Sequence, residues 1–215
     1  MSNERKGWMK IITSEDYDKH MAATGEAAAN SKIIKKMFKD YPLRGKRLLI
    51  PGCGTGQMFD YISPKDLGSS IELALTDINP TFLEKTRERI EKFTGTNYKI
   101  IQDDIESTKL NGKYDGILIV LVLHNVSWEK SLKSLAGLNP KQLYIIEMEQ
   151  DLSLRLIGER KIPETIKKYG EYVKIKLIPR EELIRYIHGM GFKLKKLYET
   201  KVLDNKTMVG FVFEK

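Results

Sequence analysis

The chain has 215 residues, a net charge of +8 and 41% hydrophobic residues, which fits one α/β domain with a continuous core. No apolar run nears the ~20 residues that cross a bilayer, and Glu4, Arg5 and Lys6 stand where a signal peptide would be apolar, so a cytoplasmic protein without membrane contact is expected. A single cysteine, Cys53, excludes an internal disulfide, and with no neighbouring Cys or clustered His no metal site is expected. The basic balance favours an anionic partner such as RNA in general terms. Its lysines and arginines are spread through every segment and mixed with acids, as in Glu84-Lys85-Thr86-Arg87-Glu88-Arg89, which reads as a solvated surface.

In chain order, residues 14–39 read as helical, with Ser14 as cap and Glu15 and Asp16 in the acid-favouring first turn. Strands are expected at 46–51, 71–76, 97–101, 114–121 and 141–147, and Leu118 to Leu123 is apolar enough for a central strand buried on both faces. Gln57 to Ile62 looks like the opening of a helix. A clearer helix is capped by Asn79, has Pro80 in its first turn, and places Phe82, Leu83, Thr86, Ile90 and Phe93 on one face. Residues 151–178 read as irregular or helical and as part of a pocket wall. A helix over 179–190 follows, then strands near 192–199 and 207–213 joined by a tight turn at Asp204-Asn205. Short aliphatic strands alternating with amphipathic helices are the pattern of a parallel sheet.

The chemistry starts at Pro51-Gly52-Cys53-Gly54-Thr55-Gly56, between the first strand and the following segment. Glycines there let the backbone approach a ligand at a helix N-terminus. A tight structural turn is the bland alternative. The dinucleotide pattern G-x-G-x-x-G would need a glycine where Gln57 stands, so a nicotinamide dehydrogenase is disfavoured. Asp77 closes the second strand in Leu75-Thr76-Asp77-Ile78-Asn79, where a carboxylate can accept both hydroxyls of a ribose. Gln102-Asp103-Asp104-Ile105 follows the third strand, and Tyr114-Asp115-Gly116 opens the fourth.

Taken together over residues 45–150, these motifs resemble the class I S-adenosylmethionine-dependent methyltransferases. The resemblance implies a Rossmann-like α/β fold: a seven-stranded, mostly parallel sheet with an antiparallel C-terminal hairpin, helices on both faces, an N-terminal helical cap over 1–44 and the methyltransferase domain over 45–215. It implies S-adenosylmethionine as cofactor and S-adenosylhomocysteine as product. Gly52, Cys53, Gly54, Thr55 and Gly56 would line the methionine and ribose part, Asp77 and Ile78 the ribose, and Asp104 the adenine amino group, with Asp103 as the alternative register and Ile105 against the ring. Leu121 would lead the fourth strand to His124-Asn125, which border methionine and acceptor. Many relatives carry an acid where this chain has Ile50, and the N-terminal helix is expected to compensate, with Tyr17, His20 and Met21 as candidates for cofactor or substrate contact; core packing is their bland reading.

A sulfonium methyl is already electrophilic, so alignment and exclusion of water are the main tasks, and a base is needed only for a protonated acceptor. His124 is the candidate base, Asn125 and Trp128 the candidate pocket, although a histidine closing a strand and an aromatic anchoring a helix explain the last residues equally. Glu147 and Glu149 share a strand face at the fifth strand's end and are not assigned a catalytic role. The fourth strand lacks the Asn/Asp-Pro-Pro-aromatic ending, no Pro-Cys nucleophile occurs, and no basic-aromatic RNA module is visible. A small-molecule acceptor and a monomer or homodimer are therefore expected. An RNA methyltransferase and a non-catalytic methyltransferase-like subunit are the alternatives.

Overall fold

The computed structural model describes residues 3–68, 70–150, 164–166, 168, 176–203 and 206–215. The expected turn at Asp204-Asn205, the stretch 151–163, and Tyr169 and Tyr172 lie outside the described residues.

Helix α1 (Asn3–Lys10) precedes the first element expected from the sequence. The single helix expected over 14–39 is two, α2 (Ser14–Thr24) and α3 (Glu26–Asp40). Gly25, at φ +72°, ends the first and begins the second, because a left-handed residue cannot continue either. The cap of α2 is Thr13, whose hydroxyl accepts from the Asp16 N–H at 3.2 Å, and Ser14 is the first helical residue. The helix expected from Gln57 is reduced to a short 3₁₀ turn, Gln57–Asp60. A second 3₁₀ turn begins at Pro64, whose ring cannot donate to a continuing helix.

The remaining elements are β1 (Arg47–Pro51), β2 (Glu72–Asp77), α4 (Pro80–Ile90), β3 (Asn97–Gln102), β4 (Gly116–Val120), α5 (Trp128–Ala136), β5 (Gln142–Gln150), α6 (Arg180–Gly189), β6 (Lys193–Lys201) and β7 (Lys206–Glu214). They form one seven-stranded sheet in the order β3-β2-β1-β4-β5-β7-β6. β1 to β5 pair in parallel, and β7 runs antiparallel to both β5 and β6. The chain winds one way from β1 through β2 to β3, then returns to place β4 on the other side of β1. At such a switch point the connections diverge and leave a crevice beyond the carboxyl ends of the strands.

Alternation along the strands decides what covers the sheet. Leu48, Ile50, Leu118, Tyr144 and Ile146 face the layer that contains Ile33, Ile34, Met37 and Phe38 of α3. Leu49, Ile117, Ile119, Leu143 and Ile145 face Leu132 and Leu135 of α5 and Leu183 and Ile187 of α6. Both faces are dry, which is why the strands read as continuous apolar runs. Among the described residues, no helix is long and apolar enough to cross a membrane.

Asp115 is a structural clamp and lies outside β4, which begins at Gly116, two residues after the expected start at Tyr114. One oxygen of its carboxylate accepts the N–H groups of Lys46 and Arg47 at 2.9 and 3.1 Å, tying the start of β1 to the start of β4. Burial alone would raise its pKa; the Arg47 and Lys46 N–H groups, with Lys141, outweigh that and hold it below the ordinary 3.8. A depressed carboxyl pKa stabilises the fold above its unfolded value and loses that contribution as pH falls through the folded one. Asp115→Ala is expected to lower unfolding free energy by about 1–3 kcal/mol at neutral pH, with the difference from the parent shrinking in urea titrations carried out below about pH 4.

Candidate cofactor and acceptor site

The glycine turn leaves β1 at its carboxyl end and is held from four directions. The Cys53 N–H donates to the Thr76 carbonyl at 2.8 Å, and the Gly54 N–H donates to Asp77 Oδ2 at 2.9 Å. From α4, the Thr86 hydroxyl donates to the Gly54 carbonyl at 2.8 Å, and Arg89 Nη1 donates to the Thr55 carbonyl at 2.7 Å. Arg89 is itself fixed by Asp18 at 2.7 Å and Asp60 at 2.9 Å, and Asp18 also accepts from the Thr55 hydroxyl. The turn is therefore set before any ligand arrives.

Its glycines do different work. Gly52 has φ +62°, and a Cβ there would lie 2.6 Å from a Val122 methyl; it lines the main cavity. Gly54 lies beneath the Tyr17 ring, which a Cβ would meet at 3.4 Å. Gly56 faces Thr86, with a Cβ-to-Cα approach of 3.1 Å, so it allows close packing of α4 and does not line the cavity.

Asp77 is buried and accepts twice: Oδ2 from Gly54 and Oδ1 from the Asn79 N–H at 2.9 Å. Burial pushes its pKa up to about 6, against the opposing pull of the Asn79, Gly54 and Ile78 N–H groups. Each oxygen keeps a further lone pair, so the carboxylate retains acceptor capacity toward the cavity. Asn79 caps α4 through the Thr81 N–H at 2.9 Å, and its amide donates to the Trp8 carbonyl at 2.7 Å. That bond draws α1 over the site. Trp8, Tyr17 and Phe82 then meet as an aromatic wall, with ring centroids 5.2–6.2 Å apart.

The main cavity, with about 670 Å³ of empty space, lies between this wall and the strand ends. It brings together Gly52, Gly54, Asp77, Ile78, Asp103, Asp104, Ile105, Leu121, Tyr17 and Asn125, all read from the sequence, with Trp8, Phe82, Val120, Val122 and Val126, which were not. Asp103 accepts from the Thr108 hydroxyl and from the Lys109 N–H at 2.9 Å. Asp104 caps the 3₁₀ turn Ile105–Ser107 through the Glu106 N–H at 2.9 Å. Cys53 and Thr55 border a second cavity, where burial pushes the Cys53 thiol well above its ordinary pKa.

Leu121 is the hinge of the arrangement. It borders the main cavity, the second cavity and a third of about 560 Å³. Its backbone is left-handed, at φ +54°, a conformation that costs a side-chain-bearing residue about 1–2 kcal/mol. The Leu121 N–H to Ile146 carbonyl bond at 2.8 Å and the Asn125 amide on the Leu121 carbonyl at 3.2 Å hold it there.

The third cavity contains His20, Met21, Asn125 and His124, and it shares Trp8, Tyr17, Leu121 and Asn125 with the main one. Glu147, buried on β5, accepts the Leu123 N–H on Oε1 at 2.9 Å and lies 2.6 Å from His124 Nδ1 through Oε2. With Nδ1–H directed at the carboxylate, Nε2 is the nitrogen that can take a proton. Glu149 is instead paired in a two-pronged contact with Arg180, at 2.9 and 2.8 Å. Glu26 and Lys206 close the cavity's far side as an ion pair at 2.7 Å. Trp128 packs edge-on against Tyr186, with centroids 4.9 Å apart, and does not border these cavities. Among the described residues, no group of three or more His, Cys, Asp and Glu could hold a metal ion.

Gly52→Ala combines a left-handed backbone with a methyl driven into Val122. It is expected to destabilise the fold by about 2–4 kcal/mol, read as a lowered denaturation midpoint; an unchanged midpoint would mean that the turn relaxes freely.

A family model described as a methyltransferase domain matches residues 49–139. No curated protein matches the sequence. Among solved structures, magnesium protoporphyrin IX methyltransferase from Synechocystis PCC 6803 with bound S-adenosylhomocysteine superposes with a TM-score of 0.66 at 16% identity, over 89% of this chain and 84% of that one. A S-adenosylmethionine-dependent methyltransferase from Clostridium acetobutylicum ATCC 824 gives 0.65 at 13% identity, over 92% and 95%. The cyclase SpnF gives 0.63 at 12% identity, over 86% and 80%. Residues 49–139 thus match a methyltransferase-domain model, and the chain shares the fold of S-adenosylmethionine-dependent methyltransferases.

Proposed function

We propose that the protein transfers a methyl group from S-adenosylmethionine to a small-molecule acceptor that gives up a proton, leaving S-adenosylhomocysteine. The observation that carries this reading is the juxtaposition, across Leu121 and Asn125, of a cavity built on Gly52, Gly54 and Asp77 with one that holds the His124–Glu147 pair. The likeness to a methyltransferase with bound product supports the first half.

Asp77 fits the role of ribose ligand: a buried carboxylate with spare acceptor capacity is relieved of part of its desolvation when two hydroxyls donate to it. Asp103, Asp104 and Ile105 border the adenine end, and the Trp8, Tyr17 and Phe82 wall excludes water. When bound, the cofactor supplies a methyl group on a sulfonium, electrophilic without further activation. The protein's own part is to align an acceptor and to receive its proton. His124 Nε2 is suited to that because the Glu147 contact at Nδ1 fixes the ring and leaves Nε2 to face an acceptor. The third cavity is largely apolar, with Trp8, Ile12, Met21, Leu121 and Met148, so a compact acceptor with an apolar body and one hydroxyl or amine matches it.

Calorimetric titration with S-adenosylhomocysteine tests the cofactor half: binding by the parent and a loss of roughly 1–3 kcal/mol in Asp77→Ala are expected. Absence of binding to the folded parent would overturn the reading. The Asp77 carboxyl also sets a pH dependence. Its raised pKa means that the ligand-free fold retains the proton up to about pH 6. The associated stability is full below the ordinary 3.8 and fades as pH rises to 6, whereas ribose binding requires the ionised form. Affinity should be roughly tenfold weaker at pH 5 than at pH 7.5 in the parent and nearly flat in Asp77→Ala. For the acceptor half, a panel of phenols, carboxylic acids and amines can be assayed by release of S-adenosylhomocysteine. His124→Ala should lower turnover of any active compound by about 10²–10⁴-fold without weakening cofactor binding; equal turnover would remove His124 as base.

A further inference from the structure

The second cavity lies beside the glycine turn and shares Tyr17, Gly52, Val120 and Leu121 with the main cavity, so the two are neighbouring parts of one crevice. Its lining contains no carboxylate: Ile50 ends in hydrocarbon, and Asp18, which lies nearby, is taken up by Arg89 and Thr55. It does contain two side-chain oxygens with nothing to accept. Asn30, 3% exposed on α3, and Gln57, in the 3₁₀ turn after Gly56, both line it, and both amide oxygens are buried without a hydrogen-bond donor among the described residues. The Gln57 side chain is not free to turn away, because its Nε2 donates to the Asp18 carbonyl at 3.0 Å and thereby fixes the opposite end of the amide.

A buried acceptor left without a donor costs free energy, and two in one cavity mark the place of a ligand bearing N–H groups. The cavity's position next to the turn, and its lack of negative charge, select a small cation that neutral oxygens can hold. We propose that Asn30 and Gln57 bind the α-ammonium group of the methionyl end of S-adenosylmethionine. This assignment rests on the cofactor reading above. An ammonium has three N–H donors in a compact head, enough to reach both amides at once. Two neutral amides would then supply, from α3 and from the turn, what a single carboxylate at position 50 would have supplied from β1.

Two probes separate this from a structural role: S-adenosylhomocysteine, which carries the amino-acid end, and 5′-methylthioadenosine, which has the same adenosine thioether without it. In calorimetry at neutral pH, Asn30→Ala and Gln57→Met should each bind S-adenosylhomocysteine about tenfold more weakly. Both should hold 5′-methylthioadenosine as well as the parent does, which also reports that the variants are folded. Asn30→Asp, which keeps an acceptor and adds charge, should bind S-adenosylhomocysteine at least as tightly as the parent. The proposal is overturned if both probes weaken together, if neither does, or if Asn30→Asp loses S-adenosylhomocysteine as Asn30→Ala does, since that would place the ligand's carboxylate there. A parent that binds neither probe would instead refute the cofactor reading itself.

Discussion

The carboxylate of Asp77 holds two backbone N–H groups at once, that of Gly54 in the turn after β1 and that of Asn79 at the start of α4. Through the first it fixes the glycine turn, and through the second it fixes the cap from which α4 projects. Asn79 then draws α1 in through the Trp8 carbonyl, and α4 returns Thr86 and Arg89 to the turn's own carbonyls. The elements around the cofactor crevice thus depend on one buried acid. That acid pays for its burial with a raised pKa, which makes it responsive to whatever donor fills the remaining lone pairs.

The sheet's topology explains why such a constraint sits where it does. β1 and β4 are neighbours, but the chain leaves β1 toward β2 and β3 before it reaches β4, so the connections part above the strand ends. Leu121, at the end of β4 and in a left-handed conformation, stands where the parted connections expose three cavities to one another. A strained residue at such a junction is kept by the bonds around it, here from Ile146 and Asn125. Fold alone does not fix chemistry on this scaffold, since a cyclase shares it with methyltransferases. What distinguishes this chain's crevice is the His124–Glu147 pair beside the cavity that His124 lines.

Much of this was legible in the sequence for identifiable reasons. Strands buried on both faces leave unbroken apolar runs, and a turn that needs left-handed backbone leaves glycines at fixed offsets; both signals are local. Asn79 and Pro80 announced α4 by the same logic, and the structure uses both. What escaped were contacts made across the fold. Glu147 was visible as a strand-end acid, but its partner His124 lies on the neighbouring strand's exit loop, and alternation cannot tell it from Glu149, which Arg180 takes. Trp8 sat in a basic, unpatterned segment, and Phe82 read as core because a cavity wall and a core face have the same periodicity. Gly25 hid the break between α2 and α3, since a single glycine is tolerated within many helices.

The most direct test of the account is a crystal structure with S-adenosylhomocysteine bound. The ribose hydroxyls are expected on the Asp77 carboxylate, the adenine against Ile105, and the thioether sulfur facing the cavity of His124 past Leu121. A ligand seated elsewhere, or one whose ribose makes no contact with Asp77, would contradict it.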